Sequence, residues 1–418
     1  MISASRTAVR GQPDCESNDF IQAYVIKIFP SRQYKLKEQY ANCSLARFRS
    51  GKLRHNPIQR RYPILKEVIA MGIWNARTFA ILLLGAVLAS VPVSSTAAAA
   101  PAGQSAVPGK ERQAADIKNL FAERKQLFEQ TAALTGVPWY YLAAVDQYER
   151  TMSLAKKKRT PSGLIAIDYP EWKWCGLMNP NYEDTDVRTI GYFNGVGRDG
   201  SGDGLADRGS DLDRLYTMAH WLLKHGSAED DFGIGLWEYY HNTRSVQRIL
   251  QFAKIYAAFD SLDLHEHRFV LPIGTDYSYR STWGASRGWG GYRIHEGTDL
   301  FAGHGVPVRS ATYGIIEVMG WNPYGGWRIG IRDLNNVYHY YAHLSGFNKK
   351  EVKEGAVVKP GQIVGWVGNS GYGKPGTAGK FPPHLHYGLY RDNGLTEWSF
   401  DPYPYLRKWE REERMRSR

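Results

Sequence analysis

Three short histidine motifs in the last third of the chain contain the residue types that bind a catalytic metal ion. They supply His295 with Asp299, then His343, then His384 with His386. A catalytic zinc site needs three protein ligands and an open fourth position for water. Zinc lowers the pKa of that water to about 7 and so generates a nucleophile at neutral pH. Each motif is weak alone, but their order and spacing together favour a metal-dependent hydrolase.

The second and third motifs are predicted to lie on neighbouring strands. Residues 338–343 are rich in aromatic side chains and are typical of a strand. Alternate side chains share a face, so His339, Tyr341 and His343 are expected to point the same way. The two histidines of the last motif also share a face if that segment is extended. Side chains on two such strands can converge on one ion.

The first motif is predicted to be a loop. His295 and Asp299 are four residues apart, as on a helix face, but Gly297 lies between them and Gly290-Gly291 precede them. The helical zinc motif H-E-x-x-H does not fit, because position 299 is Asp.

Residues 271–405 resemble the lysostaphin/LytM-type zinc metallopeptidases, which cut peptide bonds in bacterial cell-wall peptidoglycan. That pattern is H-x-x-x-D, a further histidine, and H-x-H, and no position is missing here. The resemblance implies zinc ligands and two catalytic histidines that are not ligands. The implied ligands are His295, Asp299 and His386, and the implied catalytic histidines are His343 and His384.

The finer resemblance concerns the substrate. Residues 294–301 and 376–384 most resemble the L-alanyl–D-glutamate endopeptidases of spore-forming Gram-positive bacteria. This implies peptidoglycan as the partner, the L-Ala–D-Glu bond of the stem peptide as the target, and a role in cell-wall or spore-cortex remodelling. Cleavage of D,D-crosslinks or glycine bridges stays open, as does a non-catalytic wall-binding module, although such modules usually lack a ligand.

The two non-ligand histidines fit proton transfer. Imidazole titrates near neutrality, so His343 and His384 can exchange protons with water and with the leaving amine. The spacing does not decide which one is the base. Tyr341, on the expected face of His343, is a further candidate donor or a packed aromatic. We expect His339 and His304 to be packed or surface residues.

Residues 71–100 have the plan of a secretory signal peptide. A basic start leads to an apolar run over residues 79–91 and to small residues ending at Ala100. The run is short for a membrane span. We infer that translation starts at Met71 and that residues 1–70 are a spurious upstream extension. The mature form is expected to be secreted to the cell wall or spore envelope of a Gram-positive bacterium. We expect no stable membrane span in it. An uncleaved anchor is the alternative.

Charge and cysteine use agree with this interpretation. The net charge is +12, but residues 1–100 hold 14 basic and 5 acidic residues, which leaves 39 and 36 for the rest. Nucleic-acid binding loses its main support, and we predict no such partner. Cys175 is the only cysteine after the leader, which excludes an internal disulfide there. We expect it to be a buried small residue.

The middle segment, residues 101–265, is predicted to be helical from its apolar spacing, with helices at Leu212–His225 and Gly233–Phe259 among others. It resembles the lysozyme-like fold of lytic transglycosylases, with Glu149 in the place of their catalytic acid. A raised pKa would suit that role. Arg150 could oppose it by lowering the pKa. The alternative is a domain that positions glycan or packs on the peptidase.

An acidic loop in the same segment resembles a calcium site. Asp199, Asp203 and Asp207 occupy positions 1, 5 and 9 of an EF-hand pattern, but Ser210 replaces the bidentate Glu. The alternative is an Asp/Gly turn that caps the helix from Leu212.

The expected fold is therefore α+β and multidomain. An all-α lysozyme-like domain, residues 101–265, precedes an antiparallel β-sheet peptidase domain with a groove, residues 266–410, and a charged tail, residues 411–418. Residues 328–333 and 337–343 should form a hairpin around Asn335-Asn336. Gly-rich segments at 284–291 and 372–381 should form walls of the groove.

Overall fold

The fold comes from a computed structural model that describes residues 109–157, 163–287 and 293–417. These residues belong to one compact unit, in which helices precede strands. The predicted signal peptide and the segment before it lie outside the described residues. Among the helices of the described part, none has the length and apolar character that crossing a bilayer requires.

Seven helices precede the sheet in the described ranges, one short 3-10 turn lies among them, and an eighth helix follows the sheet. They are α1 Gly109–Thr135, α2 Trp139–Ala155, α3 Glu171–Cys175, α4 Val187–Tyr192, α5 Asp211–Leu222, the 3-10 turn Leu223–His225, α6 Glu229–Tyr240, α7 Thr243–Phe259 and α8 Tyr403–Arg416. Cys175 is buried at the end of α3, as predicted. Helix α8 includes most of the segment that was expected to be a charged tail.

The helix predicted from Gly233 to Phe259 is two helices, so this prediction was wrong at their junction. His241 adopts a left-handed conformation (φ 47°) and ends α6. The side chain of Asn242 then accepts hydrogen bonds from the backbone N–H groups of Arg244 and Ser245. Asn is a preferred residue at such a helix start because its side chain satisfies these donors.

Among the described residues, ten strands form one sheet in which every pairing is antiparallel, and two more form a separate ribbon. The main path is β1-β4-β11-β8-β7-β6-β9, with β12 beside β11 and with β10 between β5 and β8. The strands are β1 Tyr277–Tyr279, β2 Ser286–Arg287, β3 Arg293–Ile294, β4 Thr298–Ala302, β5 Pro307–Arg309, β6 Gly314–Asn322, β7 Gly326–Asp333, β8 Val337–Phe347, β9 Val357–Val358, β10 Ile363–Val367, β11 His384–Asp392 and β12 Glu397–Phe400. The predicted hairpin is β7–β8, and the antiparallel sheet is confirmed.

One face of the sheet is packed and the other is open. Leu300, Ile329 and Leu385 share a fully buried core with Trp409 of α8. This is the usual arrangement for an antiparallel sheet, with one face on the core and one toward solvent. His339 points into the core side, where Nδ1 lies 2.7 Å from the Tyr387 hydroxyl, while His304 is exposed. Both histidines are therefore packed or surface residues, as predicted.

A buried charge cluster joins α7 to the sheet. Arg248 of α7 donates to Glu317 of β6, and its other nitrogen lies 3.4 Å from Asp392 of β11. Arg332 of β7 lies 3.1 Å from the same Glu317. Burial alone would raise the pKa of Glu317, but the two guanidinium groups outweigh it and hold that pKa below its ordinary value. The helical part is thus held to the sheet by charges that neutralise one another.

Removing one cation from this cluster should destabilise the protein. We expect Arg248→Met to lower the free energy of unfolding by about 3 kcal/mol, because buried carboxylates would lose a counter-charge. Urea unfolding measures this loss. Arg244→Met is the matched control, since Arg244 is 41% exposed and lies 3.6 Å from Asp392, and it should cost less than about 1 kcal/mol. Equal losses in the two variants would contradict the assignment.

Candidate metal centre

Three of the predicted residues converge on one point at the open face of the sheet. Nε2 of His295, Nδ1 of His386 and Oδ1 of Asp299 form a triangle with edges of 2.9, 2.9 and 3.1 Å. Within the described residues, this is the one group of three or more histidine, cysteine or acidic side chains placed to hold a metal ion. Two imidazole nitrogens and one carboxylate oxygen are the donor types that zinc takes in catalytic sites.

Strand register brings Asp299 and His386 together. These two residues are directly opposite each other on β4 and β11. Their neighbours in sequence, Leu300 and Leu385, point to the core face. His384 lies two residues before His386 and shares its face, as predicted. A one-residue slip of either strand would send its polar side chain into the core.

His295 lies in the loop between β3 and β4, as predicted. Its Nδ1 is 2.9 Å from the carbonyl oxygen of Thr282, so Nδ1 carries the proton and donates it. In the neutral imidazole, Nε2 then presents a lone pair to Oδ1 of Asp299, 3.1 Å away. Two acceptors this close need a cation or a proton between them. The residues therefore fit a bound zinc ion.

Gly297 leaves room for the ring of His386. A Cβ atom at position 297 would lie 2.6 Å from Cε1 and 2.7 Å from Nε2 of that ring, and 2.6 Å from the carbonyl oxygen of Tyr387. No real contact is that short, so any side chain at 297 would displace the imidazole or the strand that carries it. The absence of a side chain at this position therefore keeps Nδ1 of His386 directed at Asp299.

His343 reaches the open face through a β-bulge. Between Trp327↔Leu344 and Ile329↔Tyr341, β8 has one residue more than β7, and His343 itself has φ 63°. Such a bulge reverses the alternation of side chains beyond it. The prediction that His343 shares a face with Tyr341 and His339 was therefore wrong.

Tyr341 belongs to the core and is no donor to the metal centre. Its side chain is fully buried, and its hydroxyl accepts a hydrogen bond from the backbone N–H of Ala311 at 2.9 Å. Its ring packs against Tyr387 on the core face. The packed-aromatic alternative is correct.

His343 and His384 form a second pair beside the first group, with ring centroids 4.8 Å apart. In each ring Nδ1 lies 2.8 Å from a backbone carbonyl, that of Ser370 for His343 and that of Pro382 for His384. Both Nδ1 atoms therefore donate. In the neutral rings Nε2 is the proton acceptor, and in His384 it lies 3.9 Å from Oδ1 of Asp299.

The two groups of side chains differ in charge. Burial lowers the pKa of His343 to about 3, and the neighbouring imidazoles of His386 and His384 add to the effect. Burial alone would raise the pKa of Asp299, but the contacts with His295 and His386 hold it well below its usual range. At neutral pH the site thus combines an ionised carboxylate with a neutral base.

A groove of about 540 Å³ runs along the open face and includes His295, His343 and His386. The sequence prediction missed most of its other lining residues. Those with charged or phenolic side chains are Arg293, Glu296, Tyr324, Arg328, Tyr338, Tyr340, Tyr372, Tyr390 and Glu397. Alternation from His386 along β11 could have identified Tyr390. The faces of Arg328, Tyr338 and Tyr340 could be assigned only once the bulge in β8 was known. Tyr372 belongs to a predicted groove wall.

Glu149 lies at a separate cleft of about 510 Å³ in the helical part, with Asp168 and Trp172. The Tyr240 hydroxyl donates to its Oε1 at 2.6 Å. Burial raises the pKa of Glu149, and the bond from Tyr240 only partly offsets this. The expected lowering by Arg150 was wrong, because Arg150 points to Asp146 at 2.9 Å.

The acidic loop gives no support to the calcium prediction. Both carboxylate oxygens of Asp199 accept backbone N–H groups of the loop, and so does one oxygen each of Asp203 and Asp207. Asp213 of α5 binds the loop from the other side through three more backbone N–H groups. Ser210 caps α5. The loop is an Asp/Gly turn ahead of a helix, the alternative that the sequence had left open.

Comparison with known proteins relates this chain to a family of peptidases. Residues 293–401 match peptidase family M23. The chain is 56% identical over 296 residues to an L-Ala--D-Glu endopeptidase of Bacillus subtilis (strain 168), covering 70% of this chain and 90% of that protein. It is 39% identical over 116 residues to lysostaphin of Staphylococcus simulans, covering 27% of this chain and 22% of that protein. The solved catalytic domain of lysostaphin from that species is 33% identical, with a TM-score of 0.25, over 32% of this chain and 92% of that one.

Filling the space at Gly297 should weaken metal binding. We expect Gly297→Ala to reduce zinc affinity by about tenfold to a hundredfold, the usual effect of disturbing what orients a metal ligand. Competition with a chromophoric chelator measures the dissociation constant. Gly303→Ala is the control, because a Cβ there would meet nothing nearer than 3.7 Å. Unchanged affinity in Gly297→Ala would contradict this account.

Proposed function

Because this chain belongs to peptidase family M23, we propose that it cuts the L-Ala–D-Glu bond in the stem peptides of peptidoglycan with the help of zinc. It is a metalloendopeptidase of peptidoglycan. One observation carries the zinc-dependent mechanism: three donor atoms about 3 Å apart lie beside two further histidines at the open face of the sheet. The convergence of all five motif residues speaks against a non-catalytic wall-binding module.

In this proposal His295, Asp299 and His386 hold the zinc ion. When bound, zinc lowers the pKa of water to about 7 and polarises a carbonyl group. The carbonyl of Thr282 orients one of the ligands, as a hydrogen-bond acceptor commonly does for a metal-binding imidazole. Aromatic rings pack around the neighbouring pair of histidines, including Phe381, whose ring centroid lies 4.7 Å from that of His343.

His343 and His384 move the protons. Each Nδ1 is committed to a backbone carbonyl, so each neutral ring can accept a proton at Nε2. One of the two takes the proton of the attacking water. A protonated Nε2 then gives a proton to the nitrogen of the scissile bond, which leaves as an amine. The lowered pKa of His343 keeps this residue neutral before the reaction and makes its protonated form more acidic than an ordinary imidazolium group.

The choice of bond rests on the relative from Bacillus subtilis, whose name specifies L-Ala--D-Glu and of which this chain covers 90%.

We also propose that the protein is secreted after cleavage near Pro101 and acts in the cell wall or spore envelope of a Gram-positive bacterium. The signal-peptide pattern of residues 71–100 supports secretion. A sporulation role follows from the subfamily resemblance.

Separate substitutions should distinguish ligand from base. We expect His386→Ala to lose bound zinc and activity together. His343→Ala should keep about one zinc ion per chain while kcat falls by about 10²–10⁴, the usual effect of losing a general acid–base group. Elemental analysis gives the zinc content, and mass spectrometry of digested muropeptides gives the new N-terminal D-Glu.

The exposed His304 provides the control, and His304→Ala should change neither quantity. Loss of zinc in His343→Ala would show that His343 is a ligand instead. Full turnover by wild-type protein after exhaustive chelation would refute zinc dependence.

Glycan cleavage through Glu149 is a second candidate activity. The raised pKa of this carboxyl at a cleft is the observation that favours it, because a protonated acid can donate to a glycosidic oxygen. Trp172, which is half exposed at the same cleft, offers an aromatic surface for a sugar ring. In this activity Glu149 would act as the general acid.

This candidate predicts that wild-type protein shortens glycan strands and that Glu149→Gln does not, while peptide cleavage is unchanged in both. Chromatography of digested wall material with mass detection resolves the two product classes. Glu171→Gln is the matched control on the same cleft. Glycan products that persist in Glu149→Gln, or that are missing from the wild type, would exclude the activity.

A further inference from the structure

Arg328 lies next to His343 on the open face of the sheet. It occupies β7, and the register places it opposite the bulge of β8, between the pairs Trp327↔Leu344 and Ile329↔Tyr341. Ile329 points to the core, so Arg328 points to the opposite face, where it lines the groove. A guanidinium group therefore lies on the strand beside one of the two histidines that are proposed to move protons.

Nothing in the described part of the chain neutralises this cation. Arg328 forms no hydrogen bond or ion pair with any described residue, and its Nε is buried without a partner. Arg332 lies four residues further along β7 on the same face, and its charge is neutralised. Arg332 is paired with Glu317 at 3.1 Å and with Glu397 at 2.7 Å. Arg332 thus serves the fold, whereas Arg328 has no such role.

The acidic residues of the groove are engaged elsewhere. Glu397 is the partner of Arg332, and Glu296 accepts a bond from the Tyr390 hydroxyl at 3.4 Å. A buried donor without a partner is costly, and a guanidinium satisfies it best by binding a carboxylate through two parallel bonds. The groove therefore presents beside His343 a guanidinium group that can bind an anion.

We propose that Arg328 binds the carboxylate of the substrate residue that follows the scissile bond. The proposal rests on the L-Ala–D-Glu specificity proposed above and deepens it. A glutamyl residue has two carboxyl groups, and only one of them continues the peptide. The other stays on the residue whose amine is released. His343 is one of the two histidines proposed to move protons at the scissile bond, and Arg328 lies on the neighbouring strand in the same groove. Arg328 is therefore placed to hold the carboxylate next to that amine.

Two muropeptides test the proposal. They differ only in the group that does not continue the peptide on the residue after the scissile bond, which is a carboxylate in one and a carboxamide in the other. The zinc-loaded wild type should prefer the carboxylate in kcat/KM by about tenfold to a hundredfold, the usual value of a hydrogen-bonded charge. Arg328→Met should lose the preference, because its kcat/KM on the carboxylate should fall to about its kcat/KM on the carboxamide. Arg328→Lys should keep part of the preference, because lysine retains the positive charge but cannot bind a carboxylate through two parallel hydrogen bonds. Lys350→Met, an exposed charge loss outside the groove, should behave as the wild type.

The outcomes separate the two proposals. If the wild type cuts neither muropeptide at L-Ala–D-Glu, the proposed function fails. If the wild type cuts both equally well, or if Arg328→Met keeps the preference, the carboxylate site is refuted and the function stands. An equal loss of kcat/KM on both muropeptides in Arg328→Met would also refute the site. Arg328 would then support His343 without binding the substrate carboxylate. Zinc content measured in each variant confirms that the centre is intact.

Discussion

The pairing of Asp299 with His386 across β4 and β11 is the contact on which the site depends. It places an ionised oxygen and an imidazole nitrogen 2.9 Å apart, a distance that a shared ion or proton makes favourable. His295 has only to close the triangle from its loop, guided by the Thr282 carbonyl. Leucines on the alternate positions of both strands secure the register, because a slip would exchange them with charged groups.

Much of this centre follows from residue types and spacing. A period-two strand places His384 and His386 on one face, and Gly297 makes a loop of the first motif, so their convergence could be predicted. The position of His343 could not be predicted in this way. A bulge adds one residue to β8 and changes the parity of the strand. The two residues of the bulge, Ala342 and His343, include no glycine or proline that would indicate it in the sequence, and the positive φ of His343 is seen only in the structure.

That one extra residue explains the other errors around the groove. With regular alternation, Tyr341 and His343 would share a face. With the bulge, Tyr341 joins the core and Arg328 becomes a neighbour of His343. In the helical part, the expectation that Arg150 lowers the pKa of Glu149 also failed because of side-chain direction. Adjacent residues on a helix point in different directions. Arg150 therefore meets Asp146 one turn earlier and leaves Glu149 to its cleft.

The charge cluster under α7 bears on how such chains can be rearranged in evolution. The similarity to lysostaphin is confined to 22% of that protein, so a related segment stands there in a different setting. A sheet taken from this chain would carry Glu317 and Asp392 into its new context without the guanidinium of Arg248. Glu317 would still have Arg332 of the sheet as its partner. The two guanidinium groups paired with Asp392 both belong to α7, so an isolated sheet would hold an unpaired buried carboxylate at that position.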